Sequence, residues 1–81
     1  MNKRIYQPMN GWRLNRQKLL TDPKGTTYDP DALLTLKQVG EAAGLDPAGL
    51  RTRTNRGEIP SEKIGRDWLC RASWLYERFG L

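Results

Sequence analysis

Apolar positions are unevenly spaced along this chain, and the change near residue 34 organises the rest of the reading. From Thr35 onward they follow helical periods. Leu36, Val39 and Ala43 fall at i, i+3 and i+7, one face of a helix. Thr35-Leu36-Lys37-Gln38 fits a capping box that would start it, and Gly44 suits the left-handed residue that would end it. Gly40 inside the helix costs about 1 kcal/mol relative to alanine, a cost that fits the helix only if another helix packs closely there. Leu45 then enters the core. Asp46 is a good N-cap and Pro47 a good first residue for a second helix, running to about Arg56 and closed by Gly57. Between Pro47 and Arg56 only Leu50 is clearly apolar, so this helix is mostly exposed and offers a face outward. The link "GLD" makes the two a helix-turn-helix pattern.

After Ile59-Pro60 the period changes to two. Glu62 to Ile64 and Trp68 to Arg71 read as two strands, with Gly65-Arg66-Asp67 as a three-residue hairpin loop. Ile64, Trp68 and Cys70 are expected on one face. Ser73 is expected to cap a last helix, with Leu75 and Phe79 at i, i+4 facing inward. Residues 1–33 carry no comparable pattern. Turn chemistry is dense in "TDPKGTTYDPD", and a short helix from about Asn10 to Leu20, capped by Asn10, has only a weak stripe of Trp12, Leu19 and Leu20. The expected division is a basic arm over residues 1–33 and a folded domain over 34–81.

Charge sharpens this picture. The 81 residues carry 14 Lys and Arg against 9 Asp and Glu, a formal net charge of +5. Such a balance favours an anionic partner, most often nucleic acid. With one cysteine, Cys70, and no histidine, an internal disulfide is impossible, a structural zinc site is not expected, and nucleophile–histidine catalysis is excluded. No acid–base pair or phosphate-binding glycine loop is visible, so no enzyme, cofactor or metal is expected. No stretch approaches the roughly 18 apolar residues of a membrane span, and "MNKRIYQPMNGW" lacks the apolar region of a signal peptide. The expectation is a cytoplasmic protein.

The stretch "LTLKQVGEAAGLDPAGLRTRTNRGEIPSEKIGRDWLCRASWLYERF" resembles the winged helix-turn-helix of the MerR-like superfamily, and most closely the small phage and integrative-element excisionases, or recombination directionality factors. "LTLKQV", "GLDP", "RGEIP" and "KIGRDW" are the most specific pieces. The resemblance implies a mainly α fold with a small β-hairpin wing. MerR regulators proper continue into a long dimerisation helix and often an effector site; with the sequence ending at Leu81, neither is expected. Arg53 and Thr54 stand where the family usually has apolar residues, and Leu69 and Trp74 where it usually has polar ones.

In such folds the second helix lies in the DNA major groove, where arginine can read guanine through two hydrogen bonds. Pro47 and Ala48 keep the helix start close to the DNA. Arg51 and Thr52 are then candidates for base edges, and Arg53, Asn55 and Arg56 for phosphates or flanking bases. By resemblance the wing brings Lys63, Arg66 and Arg71, with Arg66 at a tip that enters the minor groove. The alternative for each is a solvated charged surface. Trp68 is expected in the core, and Cys70 as a small buried hydrophobe. The arm has two readings: Trp12, Tyr6 or Leu20 packs on the domain over Leu69 and Trp74, or Lys3, Arg4, Arg13, Arg16 and Lys18 lie along DNA while Leu69, Trp74 and Leu81 meet another protein.

The function implied by the resemblance is that of an excisionase. Its partners would be double-stranded DNA, further copies of itself along attachment-site DNA, and an integrase directed toward excision. A small transcription regulator of a phage or mobile element would use the same surface.

Overall fold

In a computed structural model, residues 6–81 are described. They form six short strands and three short helices: β1 (Arg13–Leu14), β2 (Leu20–Thr21), β3 (Thr27–Tyr28), β4 (Leu33–Thr35), α1 (Leu36–Ala43), α2 (Pro47–Asn55), β5 (Glu62–Ile64), β6 (Asp67–Arg71) and α3 (Ser73–Arg78). The strands make two antiparallel sheets of three, in the orders β1-β2-β3 and β4-β6-β5. With 22% strand against 30% helix, the protein is a small α/β protein. The expected mainly α class with a single hairpin is therefore wrong. The extra strands come from residues 13–35, where turn-rich sequence without helical periodicity folds into hairpins and then adds β4 to the edge of β6.

The helix expected over Asn10–Leu20 does not form. Asn10 and Lys18 have positive φ (58° and 63°), which a helix interior does not allow. Asn15 instead closes a turn, its Oδ1 accepting from the backbone N–H groups of Gln17 and Leu19, both at 2.9 Å. At the next turn Asp22 Oδ1 accepts from Lys24 and Thr26 N–H, and Oδ2 accepts from the Tyr28 hydroxyl. Burial pushes the Asp22 carboxyl up, but these hydrogen bonds to its charged form outweigh it and hold the pKa below the usual value.

α1 begins where the spacing places it. Thr35 Oγ1 accepts from Gln38 N–H at 3.1 Å, and Gln38 Oε1 accepts from Thr35 N–H at 2.9 Å. Gly44 ends the helix at φ 71°. A side chain at Gly40 would meet Leu50 Cδ2 at 3.2 Å, so the glycine lets α2 approach α1. α3 starts differently from the expectation: Ala72, not Ser73, is its N-cap, and no side chain caps it.

One core joins the two sheets and the three helices, with β5 alone contributing no residue to it. Leu34, Val39, Ile59, Cys70 and Leu75 are fully buried in it, and so is Leu20 from the first sheet, with Trp12 beside it. Burial raises the Cys70 thiol pKa. Trp12 packs against Tyr28, ring centroids 5.7 Å apart. The packing reading of the arm thus holds for Trp12 and Leu20. Tyr6 remains more than a third exposed and lies on the Arg78 guanidinium, 3.8 Å from its ring centre. Lys3 and Arg4 lie outside the described residues. Among those described, no helix is long and apolar enough to cross a membrane.

Tyr76 on α3 ties the first sheet down. Its hydroxyl accepts from Leu20 N–H at 2.7 Å and donates to the Tyr28 carbonyl. Leu20 and Tyr28 are cross-strand partners, so the hydroxyl bridges β2 and β3. Tyr76→Phe leaves both backbone groups without that partner and is expected to cost about 1–3 kcal/mol in urea unfolding. Asp22 contributes stability above the unfolded carboxyl pKa of about 3.9, lost as pH falls through its lower folded pKa. Asp22→Asn should therefore lower the urea midpoint at neutral pH, with the gap to wild type closing as pH falls through the lowered folded pKa of Asp22.

Candidate nucleic-acid interface

α2 is built to be held at one edge only. Asp46 Oδ1 accepts from Gly49 N–H at 2.7 Å, and Pro47 occupies the first turn. At the other end Gly57, at φ 77°, donates to the Thr54 carbonyl, and Glu58 N–H donates to that of Arg53. This pair of bonds is the Schellman closure, which needs a left-handed residue after the helix. No α2 residue is fully buried. Leu50, Arg53 and Thr54 are half-buried on the inner side, and Thr54 spends its hydroxyl on the Leu50 carbonyl at 2.8 Å. Ala48, Arg51, Thr52 and Asn55 fall at i, i+3, i+4 and i+7, and all four are exposed. They form one outward stripe.

The helix closure decides which arginines belong to that stripe. It turns Glu58 back toward α2, where Arg53 Nη1 lies 3.8 Å from Oε1 and Arg56 Nη1 lies 4.0 Å from Oε2. Arg53 also lies close enough to Arg78 for its charge to lower the Arg78 pKa, which burial lowers most and the neighbouring Tyr6 partly restores. Arg53 thus lies half-buried toward the inner side, while Arg51 is exposed. Among the described residues Arg51, Lys63 and Arg66 make no ion pair.

The hairpin β5–β6 stands beside α2 and differs from the expected one in register. Ile64 pairs with Asp67, Lys63 with Trp68 and Glu62 with Leu69. The loop is therefore two residues, Gly65-Arg66, with Gly65 at φ 65° as the first position of a type II′ turn requires. The shorter loop moves Ile64 to the face opposite Trp68 and Cys70. It also puts Arg66 in the turn, exposed. Arg71 lies two residues beyond Leu69, on the other face of β6 from Trp68, with its Nη1 4.0 Å from Asp31 Oδ1. Arg71 is not brought to the α2 side.

Trp68 is the residue that sequence reasoning misplaced. It is 49% exposed rather than in the core. With Pro47, Arg51 and Asn55 of α2 it lines an open groove of about 840 Å³. The signal was present: Gly-X is a two-residue turn, and counting strands outward from it sets Trp68 opposite Lys63. The candidate surface is then Pro47, Ala48, Arg51, Thr52 and Asn55 on α2, with Lys63, Arg66 and Trp68 on the hairpin. Arg53 and Arg56 sit at its margin and are already paired. Among the described residues no three His, Cys, Asp or Glu side chains cluster in a way that could hold a metal ion.

Compared with known proteins, the chain matches no protein-family model, no curated protein and no solved structure. The functional reading therefore stands on these residues. Because both Glu58 ion pairs are solvent-exposed, they carry little stability. Glu58→Gln should shift the unfolding free energy by less than about 1 kcal/mol in a urea titration.

Proposed function

We propose that this protein binds double-stranded DNA selectively, with the α2 stripe in the major groove and the β5–β6 turn on the adjoining backbone or minor groove. The observation that carries this reading is the stripe itself. Arg51, Thr52 and Asn55 are polar, exposed and on one side of a helix whose inner side is held by Leu50. An arginine and an asparagine one turn apart supply the two side chains best suited to guanine and adenine edges. Lys63 and Arg66 add charge beside them, and the net charge of +5 favours the approach to a polyanion.

The role that fits best is that of an excisionase working in the cytoplasm of a bacterial host cell. A single module of this size buries only about 600–1,000 Å² of its surface on DNA. Tight occupancy then requires several copies side by side or a partner already in place. Copies on attachment-site DNA would bend it and direct a separate integrase toward excision. The protein itself would cut nothing. Regulation of a promoter through the same stripe is the competing role. A gel-shift titration at near-physiological salt on the element's attachment site and its nearest promoter separates the two. A cooperative ladder on the attachment site is the expected result, and a single complex on the promoter alone would replace it with the regulator. Equal binding to both and to random DNA would remove both roles.

Arg51 is the test of selectivity. On sites selected from a random duplex pool, Arg51→Ala is expected to weaken binding by about 1–3 kcal/mol, with much less loss on unselected DNA. Equal loss on both would show that Arg51 touches only phosphate.

A further inference from the structure

The hairpin has two unlike faces. Lys63 and Trp68 are direct cross-strand partners and share one. Glu62, Ile64, Asp67, Leu69 and Arg71 share the other, because side chains alternate along a strand. Both hairpin carboxylates therefore lie on the face opposite Trp68. The groove that Trp68 lines has an apolar part over Leu36, Pro47, Leu50 and Ile59, a polar part over Thr54, Asn55 and Ser61, and Arg51 as the one charged residue in its lining. An indole left 49% exposed beside two cations calls for an occupant that is both apolar and anionic.

A DNA strand has that composition, an apolar deoxyribose alternating with a phosphate. The Cβ atoms of directly opposed strand residues stand about 4.5–5.5 Å apart, so Lys63 and Trp68 can meet neighbouring parts of one backbone. We propose that the groove between α2 and the β5–β6 hairpin seats one strand of duplex DNA, with the Trp68 ring against a deoxyribose and Lys63 on the adjoining phosphate. This rests on the DNA-binding reading above and adds to it an apolar, salt-insensitive contact. A neutral peptide would leave Arg51 and Lys63 unneutralised.

The test needs no known target, because a backbone contact is sequence-independent. Full-length protein is titrated with a short random-sequence duplex at several salt concentrations, and acrylamide quenching of tryptophan emission is followed. Trp12 is buried and Trp74 half-buried, so quenching reports mainly on Trp68. Saturating duplex is expected to reduce quenching in the wild type and to leave it unchanged in Trp68→Phe. Trp68→Ala is expected to weaken binding about five-fold at every salt concentration, the effect of losing about 40 Å² of apolar burial. Lys63→Gln should instead lower the slope of log affinity against log salt by about 0.9. Binding with Trp68 still fully quenchable would overturn the inference and leave the DNA reading standing. Tighter binding and stronger protection on single-stranded DNA would overturn it in favour of base stacking, and protection by a neutral peptide in favour of a protein partner. No binding to any duplex would remove both readings.

Discussion

The hydroxyl of Tyr76 is the point on which the arrangement turns. A segment of fewer than about 50 residues is near the lower limit for a core without metals or disulfides, and the helical half of this chain is about that long. Its core is completed by Trp12 and Leu20, from a sheet whose strands are only two residues each. Strands so short cannot hold a register by themselves. The Tyr76 hydroxyl joins Leu20 N–H to the Tyr28 carbonyl, so the register of the first sheet is set from α3. Asp22 then closes the turn between the same two strands.

Because the core is completed from that side, α2 is released from packing. It contributes Leu50 and little else, and Gly40 lets that one side chain reach far enough in. The polar outer stripe costs the fold almost nothing, since every residue in it remains in water. The packed contacts and the exposed polar stripe are thereby placed on different sides of α2. Position on that stripe also sorts four arginines that look alike in sequence. Arg51 is left unpaired by Glu58, while Arg53 and Arg56 are engaged by it; Arg71 is carried to the far side of β6.

The hairpin shows how much can hang on one residue of loop length. A three-residue loop would have placed Ile64 with Trp68. A two-residue loop makes Lys63 its partner and sends Glu62 and Asp67 to the opposite face. A register shift of one residue exchanges every side chain between faces. The electrostatic character of the groove beside α2 therefore follows from the conformation of Gly65.

Local rules with a short reach were legible in the sequence. The capping box at Thr35 and Gln38, the glycine closures at Gly44 and Gly57, the Asp46-Pro47 start and the exposed side of α2 all depend on bonds within a few residues, and the structure has each of them. The inward positions of Leu75 and Phe79 follow from the same helical period. What the sequence alone did not decide depends on contacts far along the chain. Residues 13–28 show no period because their strands are too short to display one, and they become a sheet only against Tyr76, 56 residues from Leu20. β4 exists because β6 offers Leu34 and Thr35 a partner. Trp68 is exposed because the register of β6, set by its turn and by β4, leaves that ring over the groove. The element order from α1 to α3 was a property of local sequence. The α/β class, the membership of the core and the side chains that share the candidate surface were set by tertiary pairing, because they are decided by which distant backbone groups meet.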